Sequence, residues 1–197
     1  MSALRVEVRL RFVRALVRAT VPLLMLAACS APRPAAEARP PAPPAAKPVS
    51  DWVLTPGAFG PVQIGWTVAQ LNAALGDSLQ PTYEISDQCD QLAPAAFPTG
   101  TSVMVLGDTV VRVDVYEAGI LTPEGVGVGD TEARLLEVYG SRAAVTPHKY
   151  SGPEGHYVTV PDAKDPRRMT IFETDGVTVL DYRAGIAPGV QFVEGCA

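Results

Sequence analysis

VQIGWTVAQLNAALG, residues 62–76, aligns without a gap on VGVGDTEARLLEVYG, residues 126–140, at an offset of 64. Identities fall at Val62/Val126, Gly65/Gly129, Thr67/Thr131, Ala69/Ala133, Leu71/Leu135 and Gly76/Gly140. A second match follows in the same order, YEAGI at 116–120 and YRAGI at 182–186, at an offset of 66. Two ordered matches at nearly one offset predict a tandem duplication, with unit 1 over 51–120 and unit 2 over 121–197.

Each unit has a readable physics. Thr67 and Thr131 stand where a hydroxyl caps a helix start, and Thr67-Val68-Ala69-Gln70 fits the reciprocal capping box. Val68, Leu71 and Leu75 recur at helical spacing and predict one buried stripe; Ala133, Leu136 and Tyr139 predict a similar one. Glu132 sits in a first turn, where a carboxylate complements the helix dipole. Gly76 and Gly140 supply left-handed stops.

Strand patterns follow each helix. Residues 102–106 turn at Gly107-Asp108 into 109–116, where valine alternates with polar residues. Residues 168–173 turn at Asp175-Gly176 into 177–182, and Asp-Gly between two such runs is a strong hairpin signal. Further strands are predicted at 82–87, 144–150 and 156–160. The expected fold is therefore α+β: a tandem duplication of a helix plus three-stranded antiparallel unit, with the helices packed on one face of a shared sheet. One such unit alone is too small to bury an adequate core.

The N-terminus has a different character. Arg5, Arg9, Arg11, Arg14 and Arg18 precede the apolar run 19–28, which is shorter than the ~20 residues a membrane span needs. Residues 1–28 read as a secretory signal peptide. The run ends Leu26-Ala27-Ala28-Cys29, which resembles the lipobox of bacterial lipoproteins. That resemblance implies diacylation and N-acylation of Cys29 by palmitate-type chains. With Ser30 following, it also implies sorting to the outer membrane. Several acyl chains, at about 0.8 kcal/mol per buried methylene, make a stable anchor. Residues 30–50 are almost all alanine and proline, a semi-rigid tether extending roughly 3.1 Å per residue.

The V/I-G-x-T…L-G helix followed by a meander resembles two families. One is the SmpA/OmlA outer-membrane lipoproteins tied to β-barrel assembly; the other is the β-lactamase inhibitor proteins, which carry two tandem units. This chain departs from both: the first family has one unit, and the second keeps its disulfides within units. The resemblance implies an envelope binding protein and carries over no partner-contacting residue.

Residues 51–197 hold 8 Lys+Arg against 19 Asp+Glu, a net charge of −11 that the basic leader hides in the whole-chain −5. Such a domain repels nucleic acid and anionic membrane surfaces. With Cys29 lipidated, Cys89 and Cys196 remain as an even pair in an oxidising compartment, and a disulfide is expected. No CxxC or HxxxH spacing gathers Cys89, Cys196, His148 and His156 into a metal site. Neither a metal nor a cofactor is expected. Asp87 and Asp90 beside Cys89 read as a solvated turn.

Catalytic patterns are sparse. There is no Gly-x-Ser-x-Gly elbow, and Gly125–Asp130 lacks the Lys-Ser/Thr ending of a phosphate loop. The most distinctive unrepeated stretch is PHKYSGPEGHY, residues 147–157. His148, Lys149, Tyr150, Glu154, His156 and Tyr157 there are candidate binding residues, because aromatic rings among mixed polar groups suit partner recognition. Trp66, at a helix start where the second copy has Asp130, is another candidate. The expected function is a non-enzymatic, periplasm-facing lipoprotein on the outer membrane that binds a protein, in envelope assembly or enzyme inhibition. The alternatives are a lectin-like carbohydrate-binding lipoprotein, with a glycan as partner, and a hydrolase.

Overall fold

The computed structural model describes residues 51–76 and 88–196. The expectations for the signal peptide, the lipidated Cys29, the tether and a strand at 82–87 lie outside the described residues. Among those residues no helix is long and apolar enough to cross a membrane.

The architecture is mainly β. A short ribbon pairs β1 (Ala58–Phe59) with β2 (Val62–Gln63). The main sheet has seven antiparallel strands in the order β3-β4-β5-β9-β8-β7-β6. These are β3 (Cys89–Leu92), β4 (Thr101–Leu106), β5 (Thr109–Val115), β6 (Ala144–Pro147), β7 (His156–Pro161), β8 (Arg168–Thr174) and β9 (Val179–Ile186). Two short helices interrupt the strands, α1 (Val68–Ala74) and α2 (Glu132–Tyr139).

This corrects the expected α+β tandem repeat with helices packed on a sheet. Helices of 7 and 8 residues make only two turns each, whereas the strands form one continuous seven-stranded sheet. The second half contributes four strands, not three. The matched pentapeptides also differ in conformation. YRAGI lies wholly within β9, bonded to neighbours on both sides, while Tyr116–Ile120 has left the sheet.

The 62–76 and 126–140 match reports something more local. Gly65 N donates to Val110 O and Val110 N to Trp66 O, both at 2.8 Å; Gly129 N donates to Val179 O and Val179 N to Asp130 O, both at 2.9 Å. A glycine, one residue and a capping threonine thus pin each helix start to a strand. Thr67 closes a full capping box with Gln70, and Thr131 accepts from Arg134 N. The expected α1 stripe holds at Leu71 and Leu75, both buried. On α2 the stripe is rotated: Leu135 and Tyr139 face inward and Ala133 is exposed. The rotation follows from Glu132, which is buried and turned toward β7 and β8 rather than solvent.

The main core lies on one face of the sheet. Val103, Val105, Val113, Val115, Phe172 and Tyr182 point into it, joined by Leu71, Leu135 and Tyr139 from the helices. The Tyr182 hydroxyl donates to Ile120 O at 3.1 Å, satisfying a buried polar tip. Trp52 closes the ribbon end, edge-on to Phe59 and Phe97 at 5.1 and 5.7 Å between centroids. β5 and β9 approach closely because Gly185 has no side chain: a Cβ there would lie 2.1 Å from Val111 O.

Candidate functional site

The opposite face of the sheet is polar and still buried. β5 reads Thr-Val-Val-Arg-Val-Asp-Val, so Arg112 and Asp114 share a face two residues apart. The register places Asp114 opposite Arg183 on β9, and Glu173 on β8 opposite Asp181. Arg112, Asp114 and Arg183 are each under 5% exposed.

What covers them is a strap, residues 187–196, that leaves β9 through a cis Ala187–Pro188 peptide and forms a 3-10 turn at Gly189–Gln191. Its backbone carbonyls serve as acceptors. Arg112 Nη1 donates to Gly189 O at 3.3 Å and Phe192 O at 2.6 Å; Arg183 Nε donates to Val190 O at 2.8 Å. Val190 packs with Met169 and Ile171 in a small second core. The strap ends at Cys196, which is disulfide-bonded to Cys89 on the edge strand β3.

The charges are matched within this layer. Arg112 Nε bonds Asp114 at 2.8 Å, Gln91 Nε2 donates to Asp114 at 3.1 Å, and Arg183 Nη1 pairs with Glu173. Burial raises the Asp114 carboxyl, against the pull of Arg112. Burial also pushes Asp181 up to about 7, helped by repulsion from Glu173 and opposed by Arg183.

The structure brings most of the 147–157 candidates to this layer. His148 stacks on Tyr157 at 4.3 Å, and its Nε2 lies 2.7 Å from Glu173. Its Nδ1 accepts from both Tyr150 N and Ser151 N at 3.0 Å, which puts the ring proton on Nε2 and pins the turn. Lys149 and Tyr150 therefore project from a fixed frame, and Tyr150 is 57% exposed. The Tyr150 hydroxyl donates to Glu194 of the strap, and Lys149 Nζ lies 3.6 Å from the same carboxylate. Loop and strap thus form one continuous surface bordering a groove of about 560 Å³, lined by Lys149, Gln191–Cys196, Gln88 and Cys89.

Three candidates sit elsewhere. His156 pairs through Nδ1 with Glu132 at 2.9 Å, and Thr174 Oγ1 donates to the same carboxylate. Trp66 is half-buried and packs against the main core. Glu154 is exposed on the 147–157 turn. Ser151 approaches His148 through its backbone N–H, not its hydroxyl. Asp90 lies in β3 and is buried rather than on a solvated turn, because its position faces the core side of the pleat. Among the described residues no group of three or more His, Cys, Asp or Glu is arranged to hold a metal.

Sequence reasoning missed Arg112, Asp114, Glu173 and Arg183. Alternation marks the polar side of a strand as solvated unless something returns to cover it. The one signal was the expected Cys89–Cys196 bridge, which brings the last residues back to β3.

No family model matches this chain, and no curated protein matches it. A solved structure similar in part is an extracellular protein containing an SCP domain from Bacillus anthracis str. Ames. It has 10% identity and a TM-score of 0.41 over 63% of this chain and 44% of that one. This chain therefore spans less than half the length of that protein.

Proposed function

We propose that this is a lipid-anchored binding protein of the bacterial envelope, acylated at Cys29, tethered by residues 30–50 and facing the periplasm from the outer membrane. It binds a protein partner, in envelope assembly or in restraint of an envelope enzyme, and performs no catalysis itself. The observation that carries this reading is the pinned turn at 147–151. His148 holds Lys149 and Tyr150 outward beside the strap groove, giving a preorganised aromatic and charged anchor pair. Such anchors dominate binding energy when their ordering cost is already met.

The test is a photo-crosslinking amino acid at position 150, used in intact envelopes. A discrete partner captured there, and lost in a Lys149→Ala variant, is expected. Retention of every interaction by His148→Ala and Tyr150→Ala variants would overturn the reading. A glycan array is the second arm: glycan binding abolished by Tyr150→Ala would replace the protein partner with a carbohydrate. Metabolic labelling with a palmitate analogue, lost in Cys29→Ser, tests the anchor.

A further inference from the structure

Between the strap and the sheet lies a second cavity of about 170 Å³, lined by Arg183, Tyr157, Met169, Ile171, Gln191 and Val193 among others. It is distinct from the groove beside Lys149 and Tyr150. Two side chains lining this cavity have a donor that is not fully used, and one of these donors, the Tyr157 hydroxyl, is buried. Although the Lys149 backbone N–H is directed at the oxygen of that hydroxyl, its proton has no acceptor among the described residues. Arg183, whose side chain is 5% exposed, commits Nε to Val190 O and Nη1 to Glu173, leaving Nη2 without an acceptor among them. Burial pushes the Tyr157 phenol up, so it stays a protonated donor; the nearby Lys149 backbone N–H only partly offsets this.

A buried donor left without an acceptor costs stability, and natural folds seldom keep one without a use for it. We propose that this cavity binds a small neutral amide of the acetamido type, its carbonyl oxygen accepting from Arg183 Nη2 and the Tyr157 hydroxyl. Three features select that chemistry. The donors need an acceptor, which a carbonyl supplies. The charge of Arg183 is already met by Glu173, with Asp114 directly across on β5, so an added anion would face two carboxylates. The remaining wall is apolar: Met169 and Ile171 on β8, with Val193 from the strap, offer contact for a methyl group. The volume is roughly five to six times a water's share of the liquid, enough for an acetamido group and the first atoms of its carrier.

The carrier is either an N-acetylated sugar or an acylated peptide end, and the test separates them. The ¹⁵N-labelled folded domain is titrated with N-acetylglucosamine, with N-acetylglycine methylamide, and with glucose and acetate as controls. Saturable shifts at the Arg183 side-chain N–H and the Tyr157 amide are expected with one or both amides and with neither control. The tighter of the two amides names the source. Tyr157→Phe is the deciding variant, because it removes a hydroxyl whose proton has no acceptor among the described residues. It should leave the urea midpoint unchanged or raised while weakening the amide about fivefold, the worth of one hydrogen bond. Absence of saturation, equal response to glucose or acetate, or unchanged binding in Tyr157→Phe would each overturn the proposal.

Discussion

Removing the Cys89–Cys196 bridge, as the Cys89→Ala, Cys196→Ala double variant, should be the most costly change that leaves the native contacts standing. The bridged residues are 107 apart in sequence. Closing a loop of that length lowers the unfolded chain's entropy by about 16 cal/mol/K in the chain-entropy model, or about 5 kcal/mol at room temperature. A domain of ordinary stability has roughly 5–15 kcal/mol in all, so the variant should be folded but marginal. The folded strap keeps its other ties, since Arg112 and Arg183 still hold the carbonyls of Gly189, Val190 and Phe192. The effect should therefore appear in the unfolded state. Urea unfolding followed by Trp52 and Trp66 fluorescence should show a single transition at a much lower midpoint. Its slope should be somewhat larger, because the uncrosslinked chain exposes more surface. A loss below about 1 kcal/mol would refute the chain-entropy reasoning. So would a strap that melts separately while the sheet transition stays put, since the bridge would then stabilise only the strap. Mass spectrometry of the non-reduced protein checks the premise: the two cysteine peptides should elute linked.

Other expectations concern single groups. Asp181, raised to about 7 when folded, binds its proton more tightly there than in the unfolded chain. Its contribution is full below pH 4 and is lost as pH rises through 7. An Asp181→Asn variant should match the parent at pH 4 and exceed it at pH 8 by on the order of 2 kcal/mol, allowing for partial solvation; equal differences at both pH values would contradict this. Gly185→Ala drives a Cβ to 2.1 Å from Val111 O and 2.8 Å from Arg112 Cα, both backbone. It should cost about 3 kcal/mol or more in thermal unfolding, since strands cannot part locally without losing their ladder. Tyr182→Phe strips the donor from Ile120 O. A loss of about 1–2 kcal/mol by urea denaturation is expected, with the fold unchanged by circular dichroism.

The legible parts of the sequence were those governed by neighbours within a few residues. Thr67 with Gln70 made its capping box, and Asp175-Gly176 lies in the β8–β9 turn, where Asp175 Oδ1 accepts from Thr178 N at 2.7 Å. What failed depended on partners far along the chain. Glu132 was read from its own helix, yet His156 and Thr174 claim it, and that rotated the α2 stripe. The match of YEAGI to YRAGI carried no information about pairing, which comes from β5 and β8 and exists only for the second copy. Arg112 and Asp114 looked like the solvated side of a half-buried strand. Their burial requires residues 187–196 to fold back, and no periodicity within β5 reports that. The 147–157 stretch was singled out by composition; that its histidine braces the turn while a lysine and a tyrosine face outward is a matter of geometry.

The sheet carries hydrocarbon on one face and paired charge on the other, and temperature acts on these in opposite senses. Burial of apolar surface weakens on cooling, whereas the cost of desolvating ionised groups falls on heating. The valine face is therefore the vulnerable one in the cold. The arginine face gains with warmth for as long as the strap keeps water from it. On heating, the benefit of the charged face therefore depends on residues 187–196 staying down over it.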